Sequence, residues 1–346
     1  MKLIILKNNL VDGLLSLERS VSENPNLPIL KNFLIKTENN KILFSATNLE
    51  MAVTGTVPGK IIEGGETTIP FSITANIVKN LVAERVSLEL KGNKFNISTE
   101  NYEASLQNQE TKDFPIIPDI KNKNSFFEID IETLKEGVGS TIVATQHSEI
   151  RPEISGVFLK LSRSEGLVLV ATDSFRLSKK TITPGSFETK TEEASAIIPL
   201  KTAAEVLRIF KKEEGKIKIF IEPNQIVFET TSTKLTSHLI DGRFPEYEAV
   251  IPKTTPTEII VEREEFMNAV KLVSSFSSRI NDLSLKVADN KKSLEILSAS
   301  GNLGENKYMI SARIKGEKTS IVFNWKYLLD GLKIYGKSAD IVLGIA

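Results

Sequence analysis

The sequence predicts an α+β protein built from three copies of one unit, each with two helices packed on antiparallel strands. Three observations support this prediction. The chain has 346 residues, more than a single hydrophobic core usually serves. Helical and strand-like apolar patterns alternate along the chain. The same order of patterns then recurs, so that Leu10, Leu134 and Phe266 correspond at offsets of 124 and 132 residues.

Each unit opens with a short strand that runs into an amphipathic helix. The apolar residues of this first helix, together with Thr or Ser at the later positions of the second and third units, are three and four positions apart, which places them on one buried face. They are Leu10, Leu14, Leu17 and Val21 in the first unit, Leu134, Val138, Thr141 and Thr145 in the second, and Phe266, Val270, Val273 and Ser277 in the third.

Two runs with alternating apolar residues follow the first helix, as expected of half-buried antiparallel strands. A second helix comes next and is entered through Ile69-Pro70, Ile198-Pro199 or Phe323-Asn324. Proline is tolerated at this point because the first amides of a helix have no partner within the helix. The first two units then close on Phe114-Pro115 and Phe244-Pro245.

Polar linkers separate the units and set the predicted domain boundaries. The linkers are residues 121–125 and 253–257, and we predict domains at 1–122, 126–253 and 257–346. After the start of the second helix, each of the first two units continues for about 50 residues, whereas only 23 residues follow the same point in the third unit, from Asn324 to the last residue of the sequence. The final two strands of the third domain are therefore expected to be absent.

Composition argues against several classes of function. Lys plus Arg equals Asp plus Glu at 44 each, so any nucleic-acid contact must come from local clustering of basic residues. The chain has no cysteine, and its start lacks a long apolar run, which indicates a cytoplasmic protein without a membrane segment. No phosphate-binding loop, nucleophile elbow or metal-spaced histidine pair occurs, so no enzyme activity, metal or cofactor is expected.

Two other functions remain open at this point. His147 and Asp173 are candidates for an acid-base pair of a hydrolase, although each has an ordinary structural explanation. A β-rich scaffold that binds proteins and never meets DNA has the same composition and the same repeats. A topological test separates these possibilities, because only a closed ring is lost from circular DNA when the circle is cut.

Four segments carry a family resemblance. They resemble the beta subunit clamp of bacterial DNA polymerase III, and they are Asn26-Leu27-Pro28-Ile29-Leu30, Thr47-Asn48-Leu49-Glu50-Met51, Val170 to Leu177, and Leu239 to Tyr247. The resemblance implies three clamp-type domains that form half of a closed ring, completed by a head-to-tail homodimer. It also implies a processivity factor that slides on duplex DNA without sequence specificity, near the nucleoid. The implied protein partners are the polymerase III catalytic subunit, the clamp loader, repair polymerases, and ligase or mismatch-repair proteins.

Helix dimensions agree with a ring around DNA. Twelve helices, each about 10 Å wide, form a circle that leaves an opening of roughly 28 Å. The predicted second helices (70–85, 199–212 and 324–337) hold nine basic against three acidic residues, and the first helices (9–23, 131–147 and 262–279) hold five against eight. We therefore predict that the second helices face DNA through Lys79, Lys201 and Lys326, the alternative being ordinary solvated helix surface.

The resemblance also implies a peptide-binding groove and a ring seam. The groove residues that match the family are Ile154, Thr172, Ser174, Phe175, Arg176, Leu177, Pro245 and Val250. Many relatives have Gly-His or Gly-Tyr in place of Ser174-Phe175, and a basic residue in place of Ala249, so a different peptide preference is expected. For residues 172–177 the alternative is a strand-end turn in which Asp173 bonds its own backbone.

The predicted seam joins two sheet edges. Leu106 on an edge strand of the first domain and Leu272 with Val273 on a helix of the third domain match the family's subunit contact. The strand at 305–310 is the expected partner edge, since pairing two exposed edges removes an aggregation hazard. The alternative is that Leu272 and Val273 belong to the domain core.

Overall fold

A computed structural model of the chain describes residues 1–22, 24–336 and 339–346. Glu23 and Lys337, which contribute to the helix charges predicted above, lie outside the described residues. The predicted α+β fold, with two helices and antiparallel sheets in each of three repeats, is confirmed.

The first repeat contains helices α1 (Lys7–Leu17) and α2 (Phe71–Asn80). Its strands are β1 (Lys2–Leu6), β2 (Asn32–Glu38), β3 (Lys41–Thr47), β4 (Met51–Val57), β5 (Gly59–Glu63), β6 (Glu66–Pro70), β7 (Arg85–Lys91), β8 (Lys94–Ser98) and β9 (Glu103–Gln107).

The second repeat contains helices α3 (Ile131–Ile142) and α4 (Leu200–Ile209). Its strands are β10 (Phe127–Asp130), β11 (Gly156–Ser162), β12 (Gly166–Thr172), β13 (Leu177–Ile182), β14 (Phe187–Thr189), β15 (Glu193–Pro199), β16 (Lys216–Ile221), β17 (Gln225–Glu229) and β18 (Thr233–His238).

The third repeat contains helices α5 (Arg263–Val273) and α6 (Trp325–Lys333). Its strands are β19 (Thr257–Glu262), β20 (Asp282–Val287), β21 (Ser293–Ser300), β22 (Gly304–Ser311), β23 (Arg313–Lys315), β24 (Ser320–Asn324) and β25 (Asp340–Ile345). β25 pairs with β19 and is the strand that the described residues form after α6.

The first helix of each repeat buries the predicted apolar face but ends about one and a half turns early. In the third repeat, Phe266, Val270 and Val273 are buried, and the helix ends at Val273 rather than beyond it. The cause is local, because the hydroxyls of Ser274 and Ser275 donate to the carbonyls of Lys271 and Leu272 at 2.8 and 2.7 Å. These bonds satisfy carbonyls that a longer helix would otherwise have used.

The second helices begin where the sequence predicts. Pro70 and Pro199 directly precede α2 and α4. In α6 the same place is taken by Asn324, whose side chain accepts a hydrogen bond from the amide of Lys326 at 3.0 Å. A side-chain oxygen at this position satisfies one of the free amides at a helix start, which fixes the orientation of the first turn.

The sheets are antiparallel, and one of them continues from the first repeat into the second. Its strand order is β14-β10-β16-β17-β18-β4-β3-β2-β6, and the two repeats meet where β18 pairs with β4, with Leu235 opposite Val53. The other sheets have the orders β5-β1-β7-β8-β9, β13-β12-β11-β15, β23-β19-β25 and β22-β21-β20-β24.

The chain divides into two compact units. The first comprises residues 1–138, 156–169 and 181–241, and the second comprises residues 139–155, 170–180 and 242–346. The second unit contains the core of the third repeat, in which Phe266 and Val270 of α5 share one cluster with Leu329 of α6. The division into three domains at the boundaries given above stays a prediction.

An ionic network connects α1 to α4 within the first unit. The Glu205 carboxylate, only 2% exposed, accepts hydrogen bonds from Arg208 at 2.6 to 3.1 Å and from Arg19 at 3.3 Å. Arg208 also donates to the carbonyls of Leu15 and Ser16 at 2.6 and 3.0 Å. One buried carboxylate therefore holds the end of α1 against α4.

Among the described residues, no helix has the length and apolar character needed to cross a membrane.

Candidate functional site

A tight turn between β12 and β13 forms one side of the candidate site. The Oδ1 atom of Asp173 accepts hydrogen bonds from the amides of Phe175 and Arg176, both at 3.0 Å. The Thr172 hydroxyl donates to the carbonyl of Arg176 at 2.8 Å and accepts from the amide of Ser174 at 3.2 Å. The strand-end turn considered from the sequence is therefore present, and its geometry projects Phe175 outward, where it is 81% exposed.

The same turn occurs in the first repeat, between β3 and β4. There Asn48 Oδ1 accepts from the amides of Glu50 and Met51 at 3.0 and 2.9 Å. Leu49 has φ of 74° and Ser174, at the equivalent position, has φ of 75°. Both lie in the left-handed region, which residues other than glycine seldom adopt. The repeated sequences Ala-Thr-Asn and Ala-Thr-Asp thus encode one repeated structure.

Around the second of these turns, in the second unit, the chain forms a groove of about 440 Å³. The structure brings together there all eight predicted groove residues, and three further ones that the sequence did not indicate. The complete lining is Arg151, Ile154, Thr172, Ser174, Phe175, Arg176, Leu177, Pro245, Glu246, Tyr247 and Val250. The role of these residues in binding stays a prediction.

The groove has a buried apolar side chain and an exposed apolar rim. Ile154 is 4% exposed, whereas Phe175 and Val250 are 81% and 71% exposed. Large apolar side chains so open to solvent on a short surface stretch are characteristic of binding sites. The rim therefore offers apolar area that only a ligand would remove from water.

The three additional lining residues supply polar groups or an aromatic wall. Arg151 donates to the Ser174 hydroxyl at 3.2 Å, and Tyr247 lies with its ring 5.4 Å from the Lys179 ammonium. Glu246 forms an ion pair with Arg243. Arg151 lies in a polar loop remote in sequence from the turn, so only the tertiary structure identifies it. Tyr247 and Glu246 belong to one of the segments that resemble the clamp family.

Arg176 does not point freely into the groove. Its Nε atom donates to Asp173 Oδ2 at 3.0 Å and its Nη1 atom to Asp330 Oδ2 at 2.8 Å. The guanidinium also lies 4.3 Å from the ring centroid of Tyr327. Burial alone would raise the pKa of Asp330, but the hydrogen bonds from Arg176 and Lys333 outweigh it, so this pKa lies below its usual range.

The predicted DNA-contacting lysines are all exposed and lie on the second helices. Lys79 is in the last turn of α2, and Lys201 and Lys326 each occupy the second position of their helix. The ammonium of Lys201 is 3.5 Å from Glu50, with both side chains largely exposed. Such a pair is weak, so Lys201 is available to another anion.

The predicted seam residues differ in exposure. Leu272 is 58% exposed, Leu106 is 9% exposed on the edge strand β9, and Val273 is 1% exposed within the core of the third repeat. For Val273 the core assignment considered from the sequence therefore describes the structure, because its side chain is fully packed in this chain. Leu272 remains the candidate for a subunit contact, beside the edge strand β22.

The two residues of the hydrolase hypothesis are in unlike surroundings. Asp173 has a side chain that is 2% exposed, and both of its carboxylate oxygens accept hydrogen bonds within the turn and from Arg176. His147 is exposed. Asp173 thus has a structural task, because three hydrogen bonds hold its carboxylate in the turn.

Comparison with known proteins agrees with the fold. Family models described as the N-terminal, central and C-terminal domains of the DNA polymerase III beta subunit match residues 1–118, 128–246 and 248–342. A Beta sliding clamp of Chlamydia pneumoniae is 28% identical over 347 residues, covering 100% of this chain and 93% of the relative. One of Bacillus subtilis is 28% identical over 348 residues, covering 96% and 90%.

Solved structures show the same similarity in three dimensions. The DNA polymerase sliding clamp from Bacillus subtilis superposes with a TM-score of 0.92 at 28% identity, covering 100% of this chain and 92% of that one. The DNA polymerase III beta subunit from Thermotoga maritima gives 0.87 at 27% identity, covering 99% and 92%. Because three domain models match in order along nearly the whole chain, the chain belongs to the DNA polymerase III beta subunit family.

Proposed function

We propose that this chain is a DNA polymerase processivity factor, one half of a head-to-tail homodimeric ring that encircles duplex DNA. The order of the three beta-subunit domain matches along a single chain is the observation that carries this proposal. Each second helix presents at least one exposed lysine, which suits contact with phosphates of any sequence. A ring that holds DNA by topology needs only such weak contacts.

The ring seam is proposed to join β9 of one subunit to β22 of the other. Both are edge strands of their sheets, and an open edge presents unpaired amides and carbonyls. Leu272 lies near the end of α5, and this helix packs beside β22. Leu272 would add apolar area to the main-chain pairing across the seam.

The proposal predicts a dimer that encircles closed DNA and is held there by topology. The chain of 38.3 kDa is expected to sediment at twice that mass. After loading with its clamp loader, it should stay on a circular plasmid and be lost when a restriction enzyme cuts the circle, because a ring slides off a free end. Equal retention on circular and linear plasmid would contradict a ring and would indicate a protein that binds DNA directly, whereas no retention on either plasmid would favour the scaffold.

Leu272→Asp supplies the sensitive variant for this experiment. A charge in the seam should shift the sedimenting species to the monomer and abolish retention on the circle, since unpaired buried charge is costly. Val322→Asp is the matched control, because Val322 is 64% exposed on β24, the opposite edge of the same sheet. If both variants stayed dimeric, Leu272 would not belong to the seam.

We further propose that the groove holds a short extended peptide from a partner protein. The candidates are the polymerase III catalytic subunit, the clamp loader, repair polymerases, and ligase or mismatch-repair proteins. An extended peptide buries one or two large side chains in such a groove while polar groups at the wall fix its direction. Ile154, Phe175 and Val250 provide the apolar surface, and Arg151 and Glu246 provide polar groups.

Phe175→Ala is expected to weaken binding of such a peptide roughly tenfold, because a large aromatic side chain that a ligand covers contributes more than about 1 kcal/mol to an interface. Its effect on stability should be small, since the side chain is 81% exposed in the free chain. Fluorescence anisotropy of a labelled peptide with leucine and phenylalanine anchors measures the affinity, and thermal unfolding checks the fold. Tyr102→Ala, at an exposed aromatic of the first repeat, is the control. Unchanged affinity in Phe175→Ala would place the peptide elsewhere.

The proposal includes an accessory role without catalysis and a location at the nucleoid, in the cytoplasm. It is supported by the names of the curated relatives, which are sliding clamps, and by the engagement of Asp173 in the turn. A protein-binding scaffold that never meets DNA would share the groove. It would not share the dependence of retention on a closed circle.

A further inference from the structure

We propose that Arg176 is a positioning residue, which fastens the groove turn to helix α6 and so couples peptide binding to that helix. This inference rests on the proposed peptide-binding role of the groove. It differs from a direct contact between Arg176 and the peptide, which the position of the residue in the groove wall alone would suggest.

Two donors of the Arg176 guanidinium are bound to carboxylates within the chain. One carboxylate in its own turn and a second on α6 accept from it at 3.0 and 2.8 Å. The guanidinium is also stacked 4.3 Å from the Tyr327 ring, and the side chain is only 22% exposed. A peptide would have to compete with two carboxylates and an aromatic face. Arg176 therefore acts on the groove through the backbone of its turn.

The α6 side of this contact is fixed independently. The Oδ1 atom of Asp330 accepts a hydrogen bond from Lys333 at 3.2 Å, so each oxygen of this carboxylate has a basic partner, Arg176 or Lys333. Asp330 lies outside the groove lining and one turn from Tyr327 on the same helix. An arginine held by two carboxylates and a ring fixes a turn more firmly than a single flexible ion pair.

The first repeat provides an internal comparison. Its equivalent turn has Met51 at the position of Arg176, and Met51 is 4% exposed. The link from that turn to the next second helix is instead the exposed pair of Glu50 and Lys201, at 3.5 Å. The turn itself closes without an arginine. Arg176 is therefore not required to form the turn, which leaves the attachment to α6 as its particular contribution.

The test uses Asp330→Asn, which preserves shape but removes the charge that holds Arg176. Affinity for the labelled peptide with leucine and phenylalanine anchors is expected to fall five- to tenfold, a typical coupling between linked sites. Arg176→Gln should give a similar loss, and the double variant should be no worse than either single one. Asp289→Asn is the matched control, because Asp289 is 96% exposed in a surface pair with Lys318.

The single tryptophan of the chain gives a second readout. Trp325 is the first residue of α6, and its Nε1 atom donates to the Ser277 hydroxyl at 3.0 Å. Peptide binding should change Trp325 fluorescence in the parent chain, and this change should vanish in Asp330→Asn at saturating peptide. Arg176→Lys should also lose this fluorescence change, because lysine cannot reach both carboxylates with planar donors.

The outcomes separate the possibilities. Normal affinity in Asp330→Asn together with a loss in Arg176→Gln would overturn the inference, because Arg176 would then contact the peptide itself. Full recovery in Arg176→Lys would overturn it as well, since charge alone would suffice. If the parent chain bound no peptide, the proposed function of the groove would fail, and this inference with it.

Discussion

Glu205→Ala is expected to lower the free energy of unfolding by about 3 kcal/mol, the low end of the range for removing one member of a buried ion pair. Two arginines donate to this carboxylate, and its side chain is 2% exposed. Without it, the guanidinium of Arg208 stays fixed between α1 and α4 with no opposing charge. The low end applies because Arg19 is 61% exposed and regains water easily.

Urea unfolding followed by circular dichroism measures this loss. Glu214→Ala is the matched control, because Glu214 is an exposed glutamate shortly after α4, where a substitution should change stability by less than about 0.5 kcal/mol. Glu205→Gln should fall between the two, since the amide oxygen still accepts hydrogen bonds but the side chain carries no charge. Similar unfolding curves for Glu205→Ala and Glu214→Ala would show that the network contributes little to holding the first two repeats together.

Combined reversal of Lys201 and Lys326 to glutamate is expected to weaken loading onto DNA severely while the dimer persists. Each dimer would lose four phosphate contacts, which should reduce the slope of the logarithm of affinity against the logarithm of salt by roughly 3 to 4. Stability should change little, because Lys201 has only an exposed partner and Lys326 is exposed at the start of α6.

The yield of ring loaded onto closed plasmid, measured across a salt series, tests this expectation. A double reversal of Lys160 and Lys286 is the control, because both are exposed lysines on strands and change the net charge equally. Sedimentation confirms that each variant is still a dimer. If the helix and strand reversals gave the same salt dependence, the assignment of the second helices to the DNA-facing surface would be wrong.

The sequence by itself determined the repeat and most of the local structure. Apolar spacing defined the buried faces of the helices, as at Leu10, Leu14 and Leu17, because a helix of this period must bury one side. The turn at residues 172–177 was also predictable, since aspartate after a strand satisfies the free amides that follow it. The eight groove residues came from family resemblance rather than from spacing.

Only the tertiary structure decided which of these parts meet. Val273 is buried in the core while its neighbour Leu272 is exposed. Both residues are apolar, so their different positions around the helix, and not their chemistry, decide which one is buried. The tertiary structure brought Arg176 to Asp330, 154 residues away in the chain, and Arg208 to the end of α1. Such contacts depend on the pairing of β18 with β4 and on the packing of the helices. Both involve residues that are far apart in the sequence. Sequence periodicity records which side of an element is buried, but the element it is buried against is chosen by the whole fold.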